Sequence, residues 1–274
     1  RADSWQRAEN VVLGLRSGDE LGIHRGHSAA RKYVRWRRGV GLWNSWRTKM
    51  ISRPDIMLFD LDGTLIDSVP DIAVATNKML ADRGLPCHEV DVIRGWVGRG
   101  LSILVHRALA GGGNEVATPS DHAEAVQIFR HHYSSCCTRN TVAFDGAIEL
   151  LDWLSSVGVR TAVVTNKPSS FAVQIVEAIG LVTNVLVGAD PRRPLKPDPA
   201  SLHEAVELLG GGTAWMVGDT SFDRDAAHAA GMQFIGVQLE GDQGRNIAEI
   251  TADDEPVFES LRDLHAWLRD EVQA

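Results

Sequence analysis

Ile56-Met57-Leu58-Phe59 is an apolar run that stops at Asp60-Leu61-Asp62-Gly63. Consecutive apolar residues bounded by polar ones predict a strand buried on both faces. The period then changes. From Asp71 to Ala81 apolar side chains fall at helical spacing, and Gly84-Leu85-Pro86 closes the segment. The same spacing covers about 89–96, 101–110 and 120–137, interrupted by the Gly111-Gly112-Gly113 loop. No strand is predicted between residues 67 and 140, so this stretch reads as a small all-helical insertion.

From Asp145 onward, helix and strand alternate. Helical spacing occupies 147–156, 169–179, 199–209 and 223–230, and β-rich apolar runs occupy 160–165, 184–187, 214–218 and 233–237. A final amphipathic helix is expected over 257–272. Repeated βα units with such runs predict an α/β fold whose parallel sheet is covered on both faces. In that architecture ligands bind beyond the carboxyl ends of the strands, which directs attention to the polar residues there.

Those ends carry a coherent set. The first strand runs into Asp60 and Asp62, which read equally as an Asx-type turn or as a carboxylate pair sharing a strand face. The second ends in Thr165-Asn166-Lys167, and Lys196 lies in Leu195-Lys-Pro-Asp-Pro199 ahead of a helix. Another ends in Asp219, with Asp223 near the start of the next helix. Strand termini and helix N-caps use Asp routinely, and a Lys before Pro can belong to an ordinary extended loop. Four carboxylates in one crevice, however, repel unless cations offset them. A hard divalent cation, Mg²⁺, meets that need, and Lys196 adds a further positive charge. The Thr165 hydroxyl and N–H groups around Asn166 suit the oxygens of a phosphoryl group.

Composition narrows the classes. With 274 residues and 44% hydrophobic content the chain can bury a large core, and no apolar run approaches a membrane span. The net charge of −8 argues against a general nucleic-acid binder but hides an asymmetry. Residues 1–53 hold twelve Lys/Arg against four Asp/Glu, together with Trp5, Trp36, Trp43 and Trp46. The Arg31–Arg38 stretch fits an RNA-binding arm or a transit segment. The leading expectation is a non-catalytic extension outside the fold, because Met50 stands just ahead of the first strand. Residues 1–49 are the one hint of a nucleic-acid partner. Cys87, Cys136 and Cys137 have neither disulfide nor metal-ligand spacing, which points to a reducing cytoplasm.

Four segments in order resemble the haloacid dehalogenase superfamily of phosphatases: Asp60-Leu-Asp62-Gly-Thr-Leu-Ile-Asp-Ser68, Val163-Val-Thr165-Asn, Leu195-Lys196-Pro-Asp-Pro, and Val217-Gly-Asp219-Thr-Ser-Phe-Asp223. Gly95-Trp-Val-Gly98-Arg-Gly100-Leu, Asp145-Gly-Ala-Ile-Glu-Leu-Leu and Thr165-Asn-Lys-Pro168 are similar to the phosphoglycolate phosphatase subfamily. The resemblance implies a catalytic core of 54–66 and 141–274 with a helical cap of 67–140 that closes over the site. It implies that Asp60 attacks phosphorus, that Asp62 shuttles the proton, and that Thr165 and Asn166 bind phosphoryl oxygens. Lys196 would steady the charge between Asp60 and phosphate. Mg²⁺ would be held by Asp60, the Asp62 carbonyl, Asp219 and Asp223. The substrate class is a small phosphorylated metabolite, 2-phosphoglycolate first, with sugar phosphatases and phosphomutases sharing the architecture. Dehalogenases of the family typically lack the second Asp, so Asp62 argues for phosphate-ester chemistry. Lys167 reads evenly as site rim or surface, Asp67 as a helix cap, and Arg99 as an exposed loop residue rather than a substrate ligand. Asp225 and His131-His132 read as solvated.

Overall fold

The computed structural model describes residues 53–111, 118–239 and 255–272. The basic segment, apart from its last residue Arg53, lies outside the described residues, as does part of the Gly111-Gly113 loop. In chain order the strands are β1 (Ile56–Phe59), β2 (Ile66–Asp67), β3 (Val142–Ala143), β4 (Arg160–Pro168), β5 (Val185–Ala189), β6 (Ala214–Gly218), β7 (Gln233–Val237) and β8 (Val257–Phe258). The helices are α1 (Val69–Asp82), α2 (Val90–Arg94), α3 (Leu101–Leu109), α4 (Pro119–Ser134), α5 (Ala147–Ser156), α6 (Ser169–Ile179), α7 (Ala200–Leu208), α8 (Ser221–Ala229) and α9 (Leu261–Val272). Six strands form one parallel sheet in the order β5-β4-β1-β6-β7-β8. The expected α/β architecture is therefore present.

The two-residue side-chain period explains the layering. In β1, Ile56 and Leu58 join one apolar cluster with Leu202 and Ala205 of α7 and Ala226 and Ala227 of α8. Met57 and Phe59 join the other, with residues of α5, α6 and α9. Burial on both faces is why these strands read as continuous apolar runs rather than alternating ones. The larger cluster continues into α1, α3 and α4, so the inserted helices pack on the core through shared apolar surface.

One expectation is corrected, and one short ribbon is added to the picture. Residues 257–272 do not form one helix: Val257 and Phe258 pair with β7 as an edge strand before α9 begins. At the base of the insertion, β2 and β3 pair antiparallel, Ile66 opposite Ala143 and Asp67 opposite Val142. Two-residue strands are too short for periodicity to reveal. The two chain crossings beside this ribbon are tied by Asp71, a fully buried carboxylate. It accepts from the backbone N–H groups of Asn140 and Thr141, the Asn140 amide and the Thr141 hydroxyl, all at 2.8–3.1 Å. The entry and exit strands of the insertion are thus held as one unit. Among the described residues no helix is long and apolar enough to cross a membrane.

Candidate active site

Register brings the polar strand ends together. Phe59 of β1 lies opposite Val163 of β4 and Val217 of β6. Asp60 follows Phe59, and Thr165 and Asp219 lie two positions beyond Val163 and Val217. Strand geometry ends at Phe59, so Asp62 reaches the site through a tight turn rather than by continued alternation. The Leu61 carbonyl accepts from the N–H groups of Thr64, Leu65 and Ile66, while Gly63 donates to the Ile66 carbonyl at 2.9 Å.

Gly63 is required by that turn. Its φ is +90°, and a Cβ there would lie 2.3 Å from Asp219 Oδ2. Asp219 is itself positioned from the same turn, where the Thr64 hydroxyl donates to its Oδ1 at 2.8 Å. Gly63→Ala is accordingly expected to cost about 1–3 kcal/mol, through backbone strain plus displacement of a buried carboxylate. Urea denaturation reads this as a lowered midpoint, and an unchanged midpoint would refute the steric account.

Asp60, Asp219 and Asp223 are all buried, with carboxylate oxygens within 4.8 Å of one another. Lys196, from the loop before α7, stands among them. Its ammonium donates to Asp223 Oδ1 at 2.6 Å and to the Val164 carbonyl at 2.7 Å, and lies 3.0 Å from Asp60 Oδ1. Burial alone would lower the Lys196 pKa. Asp223 and Asp60 outweigh that effect and hold it above the usual lysine range. Asp223 is also fastened at the start of α8, accepting from the Thr220 N–H and hydroxyl at 3.0 and 2.6 Å. The contact to Asp60 is an ion contact rather than an aligned hydrogen bond, so among the described residues the buried Asp60 Oδ1 has no aligned donor. The Asp60 carboxyl is pushed up to about 6. Burial is the main cause, Lys196 opposes it, and Asp223 and Asp62 add to it. This geometry is compatible with a divalent cation seated on the three carboxylates, whose donors are all hard oxygens.

Asp62 has separate partners. The Ser68 hydroxyl donates to its Oδ1 in a short hydrogen bond, and the Lys167 ammonium contacts Oδ1 at 2.8 Å and Oδ2 at 3.1 Å. Lys167 is therefore a buried member of the site, a placement the sequence left open between rim and surface. Burial would depress its pKa, but Asp62, with Tyr133 adding, holds it above the usual range. Its ammonium sits 5.0 Å from the centroid of the Tyr133 ring of α4.

Thr165 is buried, and its oxygen accepts from the Lys167 N–H at 3.1 Å, so its own O–H proton is available to an anionic oxygen. The Asn166 side chain is engaged within the protein, which leaves the backbone N–H groups around it as the part expected to meet phosphoryl oxygens. Its amide N–H₂ donates to the Lys196 and Gly98 carbonyls, both at 3.1 Å, and its oxygen accepts from the Lys196 N–H at 2.8 Å. That amide orients the lysine loop and fastens the Gly98 loop of the insertion to the core instead of facing a phosphoryl group. Asp67 does accept from the Val69 N–H at the start of α1. Arg99 and Asp225 are exposed, and the Arg99 guanidinium stacks over Phe222. His132 departs from expectation: it is half-buried and 2.6 Å from Asp82.

A cavity opens where the insertion meets the strand ends. Asp60, Asp62, Thr165, Asn166 and Lys167 form its core side. Ile72, Trp96, Leu101, Leu104, Phe129 and Tyr133 come from the insertion.

Comparison with known proteins agrees with this geometry. A phosphoglycolate phosphatase of Pseudomonas savastanoi pv. phaseolicola is 38% identical over 201 residues, covering 72% of this chain and 74% of that protein. One from Colwellia psychrerythraea is 35% identical over 203 residues, covering 72% and 90%. The crystal structure of a Haemophilus somnus protein described as a predicted phosphoglycolate phosphatase superposes with a TM-score of 0.70 at 27% identity. It covers 79% of this chain and 99% of that one. The family model for haloacid dehalogenase-like hydrolases matches residues 57–237, the span from β1 through the insertion to β7. A sheet that gathers Asp60, Lys196, Asp219 and Asp223 under a helical insertion, within a sequence match of that length, makes this chain a member of the haloacid dehalogenase-like hydrolase family.

Proposed function

We propose that the chain is a Mg²⁺-dependent phosphomonoesterase hydrolysing 2-phosphoglycolate to glycolate and phosphate through a phosphorylated Asp60. One observation carries the reading. Asp60, Asp62, Asp219 and Asp223 converge, with the Lys167 ammonium on Asp62 and the Lys196 ammonium on Asp60 and Asp223, and among the described residues the buried Asp60 Oδ1 has no aligned hydrogen-bond donor. Carboxyl groups that outnumber the ammonium groups beside them form a site whose charge one divalent cation offsets. Asp60, Asp219 and Asp223 would hold Mg²⁺, with the Asp62 carbonyl as a further oxygen; when bound, the ion offsets charge on the phosphoryl group and its nucleophile.

The chain's own groups divide the remaining work. Asp60 forms a bond to phosphorus as the ester P–O bond breaks, and Asp62 in its protonated form gives that proton to the departing alkoxide. Asp62 then accepts a proton from the water that releases phosphate from Asp60. Thr165 donates its hydroxyl proton to a phosphoryl oxygen, and Lys196 balances the charge of Asp60 throughout. The helical cap, residues 67–140 over a core of 54–66 and 141–274, keeps bulk water from the site.

The apolar cap wall favours a small substrate, since hexose hydroxyls set against Ile72, Trp96 and Leu104 would lose their water without gaining partners. Phosphate release is the test, measured across a panel of glycolate, triose and hexose phosphates without a bisphosphate activator. Chelation is expected to lower release at least about 100-fold, Mg²⁺ to restore it, and 2-phosphoglycolate to lead the panel. Full activity after chelation would defeat the metal assignment. Turnover that required a bisphosphate would indicate a phosphomutase.

A further inference from the structure

Two buried polar groups in the cavity take no direct part in the bond-making steps. Lys167 has a nearly fully buried side chain, and its ammonium has a third donor beyond the two contacts to Asp62. The Tyr133 hydroxyl is buried, interacts with the Lys167 ammonium, and among the described residues has no aligned hydrogen-bond partner. Leaving such a hydroxyl unpaired is costly, so a group entering the cavity, water or ligand, satisfies it. Lys167 comes from the end of β4 and Tyr133 from the last turn of α4, so one belongs to the core and the other to the cap. Both line the same cavity as Asp60 and Asp62.

Charge makes the pair distinctive. Among the described residues lining this cavity, Lys167 is the only cation, and most of the rest of the cap wall is apolar. Arg99, the cap cation that the sequence offers to a substrate carboxylate, instead stacks over Phe222 at 5.1 Å. Arg94 faces Asp67 at 3.5 Å. An anionic substituent entering the cavity therefore meets Lys167.

We infer that the Lys167 ammonium and the Tyr133 hydroxyl form the subsite for the second anionic group of the substrate, a carboxylate one methylene from the ester oxygen. The placement rests on the reading of Asp62 as the group that meets that oxygen. Lys167 lies 2.8 Å from Asp62, so a glycolate arm leaving the ester oxygen runs toward the ammonium. A carboxylate offers one oxygen to each donor, joining core to cap. An ester with a neutral arm displaces water from both donors and satisfies neither carbon-side charge nor geometry, which is the strongest form of rejection available to a small pocket.

The test compares kcat and KM for 2-phosphoglycolate and for 2-hydroxyethyl phosphate, its analogue with the carboxylate replaced by a neutral carbinol. The parent is expected to favour the carboxylate ester by at least about 100-fold in kcat/KM. Lys167→Met is expected to bring that ratio to within about tenfold, largely through KM for 2-phosphoglycolate. Tyr133→Phe, which removes one oxygen and preserves the ring, is expected to cut the ratio about tenfold and decides the matter if the Met variant does not fold. A ratio that survives both substitutions, with the two esters slowed alike, overturns the subsite and leaves Lys167 as a support for Asp62. If the parent hydrolyses other small phosphomonoesters without favouring the carboxylate ester, the subsite falls and the phosphatase reading stands. Absence of release from every ester defeats both.

Discussion

Asp60→Asn is expected to lower kcat on the best substrate by at least about 10⁴-fold while leaving the fold intact, because an amide cannot form the acyl phosphate. Stability separates this result from collapse of the site. Burial, reinforced by Asp223 and Asp62 and opposed by Lys196, pushes the Asp60 carboxyl up to about 6, from an ordinary value of 3.8. A carboxyl raised in the folded state binds more protons there than in the unfolded chain between those two values. Stability of the metal-free protein therefore falls as pH rises from about 4 to about 6. Above that window the ionised carboxylate costs on the order of 2–3 kcal/mol, the free-energy equivalent of the shift. Asparagine does not titrate. Without metal at pH 7 the variant should be at least as stable as the parent, and its urea midpoint should change less between pH 4 and 6. Wild-type turnover in Asp60→Asn would remove Asp60 as nucleophile. A large loss of stability would mean that its charge supports the fold, against the burial account.

The readable part of this site follows from where it sits. Strands buried on both faces leave long apolar runs, so the first polar residue after each run marks a strand end. Asp60, Thr165 and Asp219 were visible for that reason, and Lys196 stood out in a Pro-rich loop. Side-chain direction was not readable in the same way. Whether Lys167 faces solvent or Asp62 depends on how α4 of the insertion packs, because Tyr133 covers the ammonium from a distant part of the chain. Tyr133 itself is flanked by His131, His132, Ser134 and Ser135, a polar context that conceals its fully buried ring. Asn166 fits a phosphate-binding pattern by position, and the sequence did not show that three backbone partners claim its side-chain amide. The edge strand Val257–Phe258 adds only two residues ahead of an amphipathic helix, so the helical period absorbed it.

Lys196→Met tests the other half of the charge arrangement and carries the largest expected effect on stability. Methionine fills a comparable volume with no charge. Its introduction leaves Asp60 and Asp223 buried near one another without the ammonium between them, and strips the Val164 carbonyl of a 2.7 Å donor. Removing one partner of a buried ion pair typically costs about 3–5 kcal/mol, since the remaining charge is neither solvated nor offset. Loss of Lys196 also removes the influence that lowers the Asp60 pKa, so Asp60 rises further and holds its proton to higher pH. Urea denaturation without metal should show the full loss at pH 7, and a smaller one near pH 5, where the Asp60 carboxyl takes up a proton more readily. Two further results follow from the same cause. Adding Asp223→Asn to the variant should return part of the loss, a coupling of about 0.5–3 kcal/mol, because the second substitution removes the charge left stranded by the first. Mg²⁺ should raise the midpoint of Lys196→Met by an amount that grows with ion concentration, since a ligand bound only by the folded state stabilises it by mass action. A midpoint within about 0.5 kcal/mol of the parent would mean that water or rearrangement replaces the ammonium. The three buried carboxylates would then not depend on Lys196 for their charge balance.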